Sequence, residues 1–368
     1  MPFPKLKIGD LVAKPIIQGG MGIGISLSGL ASAVAEQDGI GVIATAGLAT
    51  LIELIRETDS GDLNYEEASI EILRNEIRKA KAVTNGIVGA NIMVALTNFS
   101  DMVKTSIEEG VDIVFAGAGL PMDLPKYLKN GAKTKLVPII SSAKAARIIC
   151  KRWITRYGKL PDAFVVEGPM AGGHLGFTLE QIDDPNYRLE KLIPEVVEAV
   201  GIFERENGVK IPVIAAGGIY TGADIYEIMQ LGAAGVQMGT RFVATHECDA
   251  DIEFKKTYLN AREEDLVIIE SPVGLPGRAI QNDFIKNVQA GNKKPFKCPY
   301  HCISSCNCAD SPYCIAMALA NAKKGKLKHG FAFAGKNAYR VDRIMSVREL
   351  MKSLEEEYDV AVEDAKDE

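Results

Sequence analysis

The stretch "IPVIAAGGIYTGADIYEIMQLGAAGVQMGTRF", residues 211–242, holds two unbroken apolar runs that each end in glycine, with a helix-forming segment between them. A strand without polar alternation has no face for water, so it belongs to a parallel sheet covered by helices on both sides. Thr221 is placed to cap the helical run that follows it, and Gly232 to stop that run. The unit is strand, crossover helix, parallel strand, and the fold depends on how often it repeats.

Working outward, similar runs occur at "KPIIQ" from residue 14, "GIGVIAT" from 39, "GIVGANIMV" from 86, "VDIVFAG" from 111, "TKLVPIIS" from 134 and "DAFVVEG" from 162, making eight strands in all. Helical patterns separate them. The run from Asn64 sets Ile70, Leu73 and Ile77 on one stripe, and the run from Ser142 does the same with Ala146, Ile149 and Trp153. Strand and helix alternating in this way predict a closed (β/α)8 TIM barrel. Residues 1–249 with 346–368 are expected to form the barrel and a terminal helix. Between them, 250–345 lose the strand rhythm and read as a partly helical, Cys-containing lid or subdomain beside the barrel mouth. The acidic end "EEEYDVAVEDAKDE" reads as frayed and solubilising.

Barrels do their chemistry where the strands end, and the unusual residues fall there. Gln18, Gly19, Gly20 and Met21 follow the first strand, and Asn91 lies in the third. Glu167, Gly172, Gly173 and His174 follow the sixth, Ala216, Gly217 and Gly218 close the seventh, and Gly239 and Thr240 close the eighth. Glycines after strands seven and eight let backbone N–H groups approach a phosphate, unless "AAGGI" is only a tight turn. "GGMGIG" lacks the spacing and context of a dinucleotide fingerprint. A flavin suits what remains: small residues for a flat ring, and amides for its edges. Stripped of neighbouring side chains, His174 can approach such a ring, and an ordinary imidazole titrates near neutrality.

The chain has 368 residues, 47% hydrophobic, with a net charge of −6. Bulk charge gives no sign of a nucleic-acid binder. Neither a signal-peptide pattern nor an apolar run of membrane-spanning length is present in the sequence, so the expectation is a cytoplasmic protein that does not cross a membrane.

Taken together, "PIIQGGMG", "GANIM", "AGAGLP", "EGPMAGGHLG", "VIAAGGI" and "QMGTRFVAT" resemble the FMN-dependent barrel enzymes grouped as nitronate monooxygenases (formerly 2-nitropropane dioxygenases) and type II enoyl-acyl-carrier-protein reductases, with a weaker echo at "GRAIQNDF". The resemblance implies that Gly217, Gly218, Gly239 and Thr240 hold the FMN phosphate. It also implies that Gln18, Gly19, Gly20, Met21 and Asn91 line the flavin, and that His174 is the acid or base beside it. Reduction of an enoyl thioester by NAD(P)H is the favoured expectation, with nitronate oxidation by O2 second and NADH:quinone reduction third. A non-catalytic binding module and a barrel acting on a sugar phosphate are the competing classes.

The chain departs from that family pattern in "CPYHCISSCNCADSPYC", where Cys298, Cys302, Cys306, Cys308 and Cys314 fall within seventeen residues. Without a secretion signal, such a cluster suggests metal or redox chemistry. An iron–sulfur cluster, zinc and free thiols all remain open, as does the choice of four ligands and the part of His301. Lys286, Lys293, Lys294 and Lys297 precede this segment, and Lys323, Lys324, Lys326 and Lys328 follow it. These lysines are either a solvated face or a patch for an acidic carrier protein or ferredoxin. Homo-oligomerisation also stays open.

Overall fold

A computed structural model describes residues 3–51, 53, 55, 63–129, 131–292, 298 and 300–367. Eight parallel strands close the barrel: β1 (Ile16–Gln18), β2 (Ile40–Ala44), β3 (Ile87–Met93), β4 (Ile113–Gly117), β5 (Lys135–Ile140), β6 (Phe164–Glu167), β7 (Val213–Ala216) and β8 (Gly235–Met238). Closure comes from β8 pairing with β1, Val236 beside Ile16 and Met238 beside Gln18. Each strand matches one of the eight apolar runs. Ile17, Val42, Phe115, Val137, Val165 and Ile214 fill the interior, and a hairpin of Leu6–Ile8 with Leu11–Ala13 joins that cluster through Leu6, Ile8 and Ala13.

The helices form where their caps allow. α1 (Ser28–Ala35) is followed by α2 (Tyr65–Val83), which starts at a capping box in which Asn64 and Glu67 bond each other's backbone. Leu73 and Ile77 are buried on α2, as expected, and Ile70 packs at the margin. α3 (Phe99–Glu108) follows β3. α4 (Ala143–Tyr157) starts at the Ser142 cap and buries Ala146, Ile149 and Trp153. α5 (Leu189–Asn207) crosses to β7, and α6 (Gly222–Gln230) begins at a box formed by Thr221 and Asp224. One expected helix is missing. Among the described residues between β4 and β5 the chain makes a 3₁₀ turn, Leu124–Tyr127, in place of that helix, and Pro121 and Pro125 bias the residues before them away from the α-helical conformation.

The segment 250–345 contains α7 (Ile252–Leu259), the antiparallel pair β9 (Leu266–Glu270) and β10 (Pro276–Ile280), α8 (Asp283–Gln289) and α9 (Ile315–Lys323). Ile269, Phe284, Ile285, Tyr313, Ala318 and Phe331 give it an apolar cluster of its own. The strand β10 also pairs with Gly173–His174, tying the segment to the loop after β6.

The acidic end is not frayed over the residues described. α10 (Val347–Asp367) docks on α1 and α6 through Leu350, Leu354, Tyr358 and Val362, an apolar stripe at four-residue spacing hidden within the acids. Among the described residues, no helix is long and apolar enough to cross a membrane.

Candidate active site

A cavity of about 590 Å³ opens where the barrel strands end, within the size range of cofactor sites. Gly19, Gly20, Met21 and Asn91 line one side; Glu167, Gly172, Gly173 and His174 line another. Ala216, Gly217, Gly218, Gly239 and Thr240 line the end formed by β7 and β8. Gln18 is the exception. Its side chain is fully buried and bridges β1 to β2, its Oε1 accepting from Val42 N at 2.9 Å and its Nε2 donating to Gly19 O. It supports the cavity without reaching the wall.

The glycines are structural necessities. Gly217 and Gly218 have φ of 94° and 89°, a region closed to most side chains. A Cβ on Gly217 would come within 2.9 Å of Gly168 O and Ala171 N. Gly20 is held against Asn91, whose Nδ2 donates to Gly20 O at 3.0 Å. The clamp on the β7–β8 end went unnoticed in the sequence. Asn337 Nδ2 donates to Gly218 O at 2.6 Å, Gly335 N donates to Thr240 Oγ1 at 3.3 Å, and Lys336 lines the cavity with its ammonium group 3.7 Å from Glu263 Oε1. "AGKNAY" at 334 carried the signal, but a lysine and an asparagine in a loop look ordinary until their partners are known.

His174 is set by two elements. Backbone pairing with β10 places Gly277 opposite it, and Ser271 Oγ lies 2.7 Å from its Nε2. Phe333 packs against the ring in an edge-to-face contact at 5.0 Å. Buried Arg278 donates to Pro169 O and Ala171 O, fixing the loop that carries the histidine. Burial lowers the imidazole from the ordinary 6.5 to about 4, so it is neutral at pH 7, contrary to the near-neutral titration expected from sequence. Glu167 goes the other way. It touches the cavity on one side and is wrapped by protein on the rest, and that burial raises its carboxyl to about 7.

These groups fit FMN. The β7–β8 end offers left-handed glycines and the Thr240 hydroxyl for a phosphate, and the opposite walls offer small residues, the Asn91 amide and a carboxyl that can be protonated for a flat heteroaromatic ring.

The lysines are in part accounted for. Lys293, Lys294 and Lys297 lie outside the described residues. Lys323 and Lys324 pair with Glu53 at 3.1 and 2.9 Å. Although burial would raise the Glu53 carboxyl, these ammonium groups hold it down to about 2.

The barrel with its glycine-lined cavity is the architecture of flavin-dependent barrel oxidoreductases, and the family match places the chain among them. The family model described as nitronate monooxygenase matches residues 5–357, and the chain belongs to that family. A Mycobacterium tuberculosis protein named (3aS,4S,5R,7aS)-5-hydroxy-7a-methyl-1-oxo-octahydro-1H-indene-4-carboxyl-CoA dehydrogenase is 29% identical over 77% of this chain and 67% of its own. A Staphylococcus aureus protein named probable nitronate monooxygenase is 28% identical over 74% of this chain and 77% of its own. Among solved structures, FabK from Thermotoga maritima superposes with a TM-score of 0.72 at 28% identity, covering 96% of this chain and 94% of that one.

Proposed function

We propose that the chain is an FMN-dependent reductase that saturates the activated double bond of an enoyl thioester with NAD(P)H as donor. The apolar lining of the cavity supports this best: Leu96, Leu275, Ile303, Ile315, Leu319 and Phe333 contribute to its wall, a surface suited to an acyl chain. The mycobacterial relative, named a dehydrogenase of a carboxyl-CoA, points to the same thioester group.

Bound FMN would supply hydride-transfer chemistry between the nicotinamide and the β-carbon. The protein's own residues do the rest. Gly217, Gly218 and Thr240, with Lys336 beside them, would hold the phosphate of FMN, and Asn91 and Glu167 would supply polar partners for its ring. His174, neutral with Nε2 held by Ser271, would donate its Nδ1–H to the thioester carbonyl, where negative charge develops as the β-carbon is reduced, and would relay to the α-carbon a proton drawn from solvent. A neutral imidazole suits this task because it polarises the carbonyl without first having to gain a proton in a buried site.

Nitronate oxidation is the second reading, favoured by the name of the staphylococcal relative. Anaerobic NAD(P)H oxidation that requires crotonyl thioester is the expected result. Oxygen uptake driven by a nitronate, with no thioester-dependent NAD(P)H oxidation, would replace the first reading with the second.

A further inference from the structure

Residues 300–305 of the cysteine-bearing segment form a strap at the cavity, with Cys302 and Ile303 in its wall. Leu96, in the loop after β3, and Ile303 face each other in an isolated antiparallel bridge, with Ser304 N donating to Ala95 O at 2.9 Å and Thr97 N to Cys302 O at 3.3 Å. Those flanking bonds make Leu96 and Ile303 a non-hydrogen-bonded pair, the kind in which side chains come closest. Ser304 Oγ adds a bond to Ala95 O at 3.1 Å, and Ser305 Oγ donates to Val273 O, in the turn between β9 and β10, at 3.3 Å. The Tyr300 ring packs 5.3 Å from that of Tyr65 at the start of α2. The strap is thus fixed to a barrel loop, to a barrel helix and to the turn that carries Ser271. Among the described residues, no group of three His, Cys, Asp or Glu side chains is arranged to hold a metal ion.

What the strap contributes to the cavity is apolar. Leu96 and Ile303 both line it, and α9 adds Ile315, Ala316 and Leu319 from one helical face. Ile303 and Leu319 pack against both the main core and the segment's own cluster, so they sit where the two meet. In the eight-strand ring β3 stands opposite β7, which puts the Leu96 side across the barrel from the glycines of the phosphate end. With that end given to the flavin, a substrate's tail has this side to run against. Branched aliphatic side chains offer an alkyl tail burial without hydrogen bonds, and where they stand limits how many methylenes fit.

We propose that Ile303, paired with Leu96, is the end stop of the acyl site and sets the longest chain that the enzyme accepts. The proposal rests on the reductase reading for the thioester and on the strap for the length limit. Because the stop meets the tail and not the reacting carbons, it acts on binding as well as on turnover.

The test is kcat/KM of the flavin-loaded full chain for 2-enoyl-coenzyme A thioesters from crotonyl to dodecenoyl, with calorimetric affinities for the saturated acyl-coenzyme A of each length. For chains just beyond the wild-type limit, Ile303→Ala should raise kcat/KM relative to crotonyl by ~10-fold or more, since each methylene newly buried is worth ~4-fold. Ile303→Phe should move the limit the other way, and opposite shifts cannot come from a general loosening of the fold. Where Ile303→Ala loses its circular dichroism, Leu96→Ala, from the barrel side of the same pair, should give the same rise. Wild type that reduces every length equally, or folded variants that keep its length profile, would overturn the stop and leave the reductase reading standing. Thioesters that bind with a length limit the variants move, yet are not reduced, would uphold the stop and overturn the reductase reading. A protein that neither binds nor reduces any of them overturns both.

Discussion

His174 and its hydrogen-bond partner Ser271 are 97 positions apart in the chain, and the surrounding protein shields much of the imidazole from water. The resulting neutral ring makes two predictions at the residue scale. His174→Ala should retain flavin absorbance while turnover falls ~10²-fold or more; unchanged turnover would remove it from the chemistry. In a pH profile of kcat/KM, the group that titrates near neutrality should be Glu167, raised by burial to about 7, and its limb should vanish in Glu167→Gln. The sign for stability follows from the same shift. A carboxyl raised from 4.5 to about 7 keeps its proton longer in the folded state, so the free protein loses stability as pH climbs through that window. Glu167→Gln should flatten the slope relative to wild type in denaturant titrations at each pH. The glycines, His174 and Asn91 were legible because their types are unusual where strands end. Ser271, Arg278 and Lys336 were not, since nothing local marks a residue whose partner lies far along the chain. Gln18 misled for the converse reason: it closes β1 instead of following it, and its side chain accepts from Val42 N.

The eight strands could be read because an apolar run bounded by glycine has few other homes, and the caps at Asn64, Ser142 and Thr221 marked helix starts by their own chemistry. Two elements were misread. The crossover after β4 gave way to a 3₁₀ turn at its prolines, and the acidic terminus concealed a helix whose apolar residues recur every fourth position. That helix lies very close to the barrel. A Cβ on Gly222 would come within 2.3 Å of Leu354 O and Tyr358 N. Gly222→Ala should therefore cost about 1–3 kcal/mol through overpacking, despite alanine's better helix propensity. Denaturant midpoints check this, and a stabilised variant would show that α10 does not pack as described.

On the scale of the molecule, the cavity exists because the barrel supplies its floor and the segment 250–345 supplies its apolar wall, with β10 and residues 335–337 joining the two. A cofactor bound there stabilises the native state by mass action. Melting temperature should rise with added FMN in the wild type, and the rise should be lost in Gly217→Ala, whose backbone strain costs about 1–3 kcal/mol. A similar rise in that variant would place the phosphate elsewhere. The central claim is tested most directly by the anaerobic visible spectrum of the purified protein, followed through addition of NADH or NADPH and then crotonyl thioester. Flavin bands that bleach with a nicotinamide and return with the enoyl thioester are the predicted result. Flavin that ignores both nicotinamides but bleaches with a nitronate would contradict the reductase account.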